Sequence, residues 1–253
     1  CRKKRICAPP VKFYEDHRLV VMSTKRDAFL ASLKKVKAGK AVIDAFAAVR
    51  QEDFFDPAFR KSFYTDETVP IGCGERSDPL MSLARMFAVL APQKKWRVLE
   101  VGTGSGYSTA VLSRMVAEVV TVDLYDELSA AAKARCRKRK FDNIRFFTGD
   151  GTDHEPSLGL FDAVIVCAAC RKRPLSLVRS TKKGGRMVFP MGLPHQQQIT
   201  LLINDTPEGG DELLRVSFHD LCLFTLLQGR YGFPIYLPGY LEGNEPPEVE
   251  PGS

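Results

Sequence analysis

The chain has 253 residues, 44% of them hydrophobic and 26% charged, with a formal net charge of +7. That length fits one large domain or two small ones and can bury roughly three quarters of the surface its unfolded chain exposes. The longest uncharged apolar stretches, such as Ala163 to Cys170, fall far short of the ~20 residues of a membrane-spanning helix, so none is expected.

Residues 1–24 read as a basic N-terminal extension, because Arg2 to Arg5 is cationic and the first amphipathic segment opens only at Met22. From Asp27 to Arg50 the apolar residues Phe29, Leu30, Leu33, Val36, Val42, Ile43 and Phe46 recur at helical spacing, interrupted at Gly39. Asp53 to Val69 is rich in aromatic residues and irregular, and core packing is its expected role. Ser77 to Leu90 returns to helical spacing, with Pro79 in its first turn and Pro92 beyond its end.

Strand-like runs then follow at Arg97–Val101, Glu118–Asp123, Ile144–Thr148, Asp162–Cys167 and Arg186–Pro190. Helical segments lie between them, with a shorter crossover after Thr148. Units of roughly 25 residues in this order predict a parallel sheet covered by helices on both faces. Gln198–Asn204 and Leu213–Phe218 are joined by the turn sequence Asp205 to Asp211, which suits an antiparallel hairpin. The expected fold is α/β: a Rossmann-like, doubly wound, mostly parallel sheet with an antiparallel end and added N-terminal helices. The domain is expected over residues 25–240, with an acidic, Pro/Gly-rich and disordered tail over 241–253.

The first strand-like run breaks into Gly102-Thr-Gly-Ser-Gly106. A dinucleotide site uses G-x-G-x-x-G, which leaves room for a pyrophosphate at the helix start. Here the glycines are packed G-x-G-x-G behind the acidic Glu100, a spacing suited to a zwitterionic ligand without phosphate, such as S-adenosylmethionine. A nicotinamide-binding Rossmann domain is the competitor. Asp123 closes the second strand roughly 20 residues further on, where a carboxylate can accept from both ribose hydroxyls. Leu124 follows it, and Thr103 and Ser105 stand between the glycines. Asp150, flanked by Gly149 and Gly151, can accept from the adenine amine while the glycines let the ring approach. The candidate cofactor residues are therefore Glu100, Gly102, Thr103, Gly104, Ser105, Gly106, Asp123, Leu124, Asp150 and Gly151.

Seven scattered cysteines in a chain of this length read as reduced thiols, and hence as a cytoplasmic protein. Cys167-x-x-Cys170 has no second pair and begins inside an apolar strand, so two buried thiols are expected rather than a metal site. Lys133 to Lys140 ends a predicted helix, where cations complement the helix dipole. His195 is expected to be a solvated turn residue with no role.

Val69-Pro-Ile-Gly-Cys-Gly74, Ser77-Asp-Pro79 and Val98 to Tyr107 together resemble the protein-L-isoaspartate O-methyltransferase family. The similarity continues through Gly149-Asp-Gly151, Phe161 to Ala169, Gly184 to Gly192 and Phe224 to Gly229. The resemblance implies methyl transfer from S-adenosylmethionine, leaving S-adenosylhomocysteine, to the free α-carboxylate of isoaspartyl residues in damaged proteins. It also implies that Ser77 helps hold that carboxylate; alone, Ser77 reads equally as a helix N-cap. Where the family has Gly-x-Gly-Gln-Thr-Ile-Ser-x-Pro, this chain has the shorter and more charged Glu75-Arg76-Ser77-Asp78-Pro79. A histidine common just beyond the proline is replaced by Leu80-Met-Ser-Leu83.

The chemistry agrees. A carboxylate acceptor, with a pKa of roughly 4, is already ionised at neutral pH and needs no general base. Two alternatives stand beside this reading. One is an RNA methyltransferase, motivated by the basic clusters but lacking the Asn/Asp-Pro-Pro-aromatic sequence after the fourth strand. The other is a cofactor-binding homologue without catalysis. The expected partners are isoaspartyl peptides or proteins, with neither membrane nor nucleic acid, and the chain is expected to be a monomer.

Overall fold

The computed structural model describes residues 17–207 and 213–233. The acidic tail expected over 241–253 lies outside the described residues, as does the start of the expected N-terminal extension. Helix α1 (His17–Lys35) is followed, across Gly39, by α2 (Lys40–Ala48). A small antiparallel ladder joins β1 (Pro70–Gly72) to β2 (Glu75–Arg76). Helix α3 (Leu80–Leu90) leads into β3 (Arg97–Val101), α4 (Tyr107–Ser113), β4 (Glu118–Asp123), α5 (Asp126–Lys138) and β5 (Ile144–Thr148). Only a 3₁₀ turn, Pro156–Leu158, precedes β6 (Phe161–Val166). A short α6 (Leu175–Val178), β7 (Thr181–Leu193), β8 (Gln196–Asn204) and β9 (Leu214–Cys222) complete the sequence of elements.

The seven-stranded sheet has the order β5-β4-β3-β6-β7-β8-β9. Strands β5 to β7 of this order pair in parallel, and β8 and β9 add antiparallel partners. The expected doubly wound architecture with an antiparallel end is therefore observed. Its central strands form because their apolar residues alternate between two buried faces. Val98, Val119, Ala163 and Ile165 pack with α1 to α4, whereas Leu99, Val120, Val164 and Val166 pack beneath with Phe161, Leu177 and Phe189. Strands buried on both faces read as continuous apolar runs, as these do. The aromatic segment packs as expected: Phe54 and Phe55 each bring their ring centroids to 5.8 Å from that of Tyr107.

Helix α3 departs from the expected start at Ser77. Helix α3 starts at Leu80, with Pro79 extended at its N-cap, so Ser77 neither begins nor caps it. The Ser77 amide donates to the Val69 carbonyl at 2.8 Å, and its Oγ accepts from the Val69 amide at 3.0 Å. These bonds hold residues 77–79 as extended chain, and the proline disfavours helical backbone at Asp78.

The winding reverses between β3 and β6. A sheet wound in this way opens a crevice at the carboxyl ends of its strands at such a point.

Candidate active site

That crevice is a cleft of about 870 Å³, counted to its open mouth. Its floor is the turn from β3 to α4. Gly102, Gly104 and Gly106 have φ of +94°, +52° and +86°, backbone that glycine adopts without strain. Space demands glycine as well: a Cβ on Gly106 would lie 2.9 Å from Cβ of Ala132 on α5, and one on Gly104 would lie 3.2 Å from Ile71. Thr103, Ser105 and Leu124 line the cleft beside Gly102 and Gly104, whereas Gly106 stands behind it.

Asp123, only 6% exposed, closes β4 beside this turn. Its Oδ2 accepts from the Gly104 amide at 2.8 Å and its Oδ1 from the Tyr125 amide at 3.0 Å. Each oxygen keeps a further lone pair, so the carboxylate can accept from a vicinal pair of donors as well. Gly151 lines the cleft between Val101 and Val122, and a Cβ there would come within 2.9 Å of Val101. Asp150 is placed differently. It does not line the cleft, and its carboxylate accepts from the Thr152 hydroxyl and amide and from the Arg230 amide. These bonds hold its pKa below the ordinary carboxylate value against the opposing effect of burial.

Glu100 also lies behind the cleft wall, fully buried. Its Oε2 accepts from the Thr109 and Thr121 hydroxyls, the latter at 2.7 Å, and Thr121 Oγ1 lies 2.6 Å from that of Thr103. Burial pushes the Glu100 carboxyl up to about 7 despite these bonds. The folded chain thus holds this proton more tightly than the unfolded chain. On this group's account stability is greatest below about pH 4.5 and falls as the pH rises to about 7. Glu100→Gln is expected to remove that loss, gaining up to about 3 kcal/mol at pH 8 in urea unfolding and nothing at pH 4.

The rest of the cleft's lining comes from elements remote in sequence. Ser77 and Asp78 belong to it, together with Ile71 from β1, Glu75 from β2 and residues 225–228. Leu226 runs beside the end of β6, where the Ala169 amide donates to Thr225 O at 2.7 Å and the Leu227 amide to Ala169 O at 2.9 Å. Gln228 clasps the rim: its Nε2 donates to Glu75 Oε1 at 2.7 Å, and its Oε1 accepts from the Tyr125 hydroxyl at 3.0 Å. Burial, then the negative Asp123, raises the Glu75 pKa, and bonds to Thr225 and Gln228 oppose the shift. Sequence reasoning singled out neither Asp78 nor Gln228 as a site residue. The match over Phe224 to Gly229 was the signal available for Gln228.

The glycine turn and the Ser77 segment therefore line a single cleft. The family model described as protein-L-isoaspartate(D-aspartate) O-methyltransferase matches residues 24–218. The chain belongs to that family. A protein-L-isoaspartate O-methyltransferase of Xanthobacter autotrophicus is 39% identical over 180 residues, covering 70% of this chain and 82% of the relative. One from Azorhizobium caulinodans is 37% identical over 175 residues, covering 69% and 81%. Among solved structures, a protein-L-isoaspartate O-methyltransferase superposes with a TM-score of 0.69 at 24% identity, covering 82% of this chain and 67% of the other. A Plasmodium falciparum chain described as a beta-aspartate methyltransferase, in complex with S-adenosyl-L-homocysteine, gives 0.65 at 20% identity, covering 80% and 98%. At those identities the two structures show a shared fold.

The residues present fit the family's methyl donor. The bare backbone at Gly102 and Gly104 admits a ligand where any Cβ would be strained or crowded. The spare acceptor capacity of Asp123 matches a ribose diol, and Val122, Leu124 and Gly151 line the same cleft with apolar surface. The remaining expectations are placed as follows. Cys167 and Cys170 are buried, with Cys167 Sγ 3.9 Å from Glu100 Oε1. His195 is exposed in the β7–β8 turn.

Proposed function

We propose that this chain transfers the methyl group of S-adenosylmethionine to the free α-carboxylate of L-isoaspartyl residues in damaged proteins or peptides. One observation carries the reading: the glycine turn, Asp123 and Ser77 line one and the same cleft. S-adenosylmethionine, when bound, supplies an electrophilic methyl on a sulfonium centre. Gly102, Thr103, Gly104, Ser105, Asp123, Leu124 and Gly151 would hold it, with Glu100, Gly106 and Asp150 supporting those positions from behind. An ionised acceptor needs no base, so the chain's contribution is to orient the partners and exclude water.

Ser77 is the residue proposed to touch the acceptor. Because its Oγ accepts from the Val69 amide, its own proton is free to be donated to a carboxylate oxygen. A hydrogen bond to a charged group contributes about 1.5–3 kcal/mol. Ser77→Ala is thus expected to lower kcat/KM about 10- to 100-fold while S-adenosylhomocysteine affinity, measured by calorimetry, stays unchanged.

We further propose that the protein acts on proteins rather than nucleic acid, as a monomer in the cytoplasm, through a single domain over residues 25–240. Among the described residues no helix is long and apolar enough to cross a membrane. Part of the basic cluster at the end of α5 is used internally: Arg135 donates to Ser105 O and Arg139, just past the helix, pairs with Asp53. The segment after β6 is Cys167-Ala-Ala-Cys170, with no proline-aromatic platform for a base. The test is methylation of an isoaspartyl peptide with labelled donor. Label that leaves as methanol in mild alkali marks a methyl ester and supports the proposal. Alkali-stable label, or label transferred to RNA instead, would overturn it.

A further inference from the structure

Asp78 is a carboxylic acid without an answer in this protein. It lines the cleft next to Ser77, yet among the described residues no hydrogen bond reaches its carboxyl, and the field it feels from them is the negative field of Glu100. Among the described residues, several titratable groups share its surroundings. Glu100 approaches from β3 and the Cys167 thiol from the end of β6. Glu75 and Arg76 stand on its own segment, and Asp123 on β4 and Tyr107 on α4 line the same cleft. The one cation in this set, Arg76, is committed to Thr68, its Nε donating to Thr68 Oγ1 at 2.8 Å and its Nη2 to the Thr68 carbonyl. A half-buried anion without a cation is costly, and a ligand that supplies one gains part of that energy.

The cleft's geometry says which part of the donor arrives there. Asp123 anchors the ribose end over β4. The bare turn at Gly102 then continues over β3 towards the end of β6, where a Cβ on Gly102 would stand 3.5 Å from the Cys167 Cβ and 3.6 Å from its carbonyl oxygen. Asp78 interacts electrostatically with both Glu100 and Cys167, so it overlooks this far end. A donor laid along that line places its amino-acid tail against Asp78. We propose that Asp78 binds the α-ammonium of the methionyl tail as its counter-ion, an inference that rests on the donor being S-adenosylmethionine.

Binding should then expel a proton. Burial, with Glu100 adding to it, pushes the free Asp78 carboxyl up to about 8, so it is largely protonated at pH 7. An ammonium ion beside it favours the carboxylate and lowers its pKa. A group whose pKa falls on binding makes affinity rise with pH up to its free pKa, by at most about tenfold per unit.

Calorimetry of S-adenosylhomocysteine binding to the full chain at pH 7, in buffers of different ionisation enthalpy, counts the protons released. The expectation is close to one proton for the wild type, with affinity climbing between pH 6 and 7.5. Asp78→Asn and Asp78→Ala should release almost none and show a flat pH dependence. Release that persists undiminished in both variants would assign the proton to Glu100 or another group and overturn the inference. Binding without release in the wild type would overturn it too, as would release with S-adenosylmethionine alone, since that points to the sulfonium. These last results leave the donor reading intact. Failure of the wild type to bind S-adenosylhomocysteine would instead remove the donor reading and this inference together.

Discussion

Asp123→Ala is expected to weaken S-adenosylhomocysteine binding at least about 100-fold. Two charge-assisted hydrogen bonds to a ribose, at about 1.5–3 kcal/mol each, set that scale. The carboxylate also pins the site before any ligand arrives, since the Gly104 and Tyr125 amides both donate to it. Removing it frees the glycine turn and the start of α5 together. Asp123→Asn keeps one acceptor oxygen and one of these bonds, so its loss should be intermediate, about tenfold. Titration calorimetry on both variants separates the two contributions.

Gly106→Val is expected to cost about 2–5 kcal/mol of stability, combining a β-branched residue at positive φ with overpacking. The φ of +86° is one reason. The other is that Cβ would press 2.9 Å from Cβ and 3.3 Å from Cα of Ala132, which is backbone that cannot step aside. α4 and α5 would have to separate, distorting the turn that Asp123 anchors. Gly39→Ala is the matched control: its φ is −64° and a Cβ there meets nothing within 4 Å. It should change stability by no more than about 0.5 kcal/mol. Urea unfolding of the two variants measures the contrast.

The sheet was legible because its strands depend on local composition. Arg97–Val101, Glu118–Asp123 and Ile144–Thr148 have the same limits in sequence and structure, since β-branched runs end at glycine or at a helix-forming segment. Strand β7 proved longer than its apolar part, Arg186–Pro190. Its ends are fixed by pairing with β6 and β8 rather than by their own hydrophobicity.

The glycine turn was legible for a similar reason, because Gly102 to Gly106 is contiguous. What could not be read depends on contacts across long stretches of chain. Ser77 has the chemistry of an N-cap, but its partner is Val69 in a preceding strand-like segment. Asp150 has the position of an adenine acceptor, but Arg230, eighty residues later, claims one of its oxygens. Asp78 looks like an ordinary loop acid until Glu100 and Cys167 are brought against it by the fold.

The central claim is that this cleft selects an isoaspartyl carboxylate as the methyl acceptor. It is tested most directly by kcat/KM for two peptides of one sequence, differing only in an isoaspartyl or a normal aspartyl linkage. A preference of at least about 100-fold for the isoaspartyl peptide, worth about 2.7 kcal/mol in the transition state, is the predicted result. Equal rates for the two linkages, or transfer to neither, would contradict it.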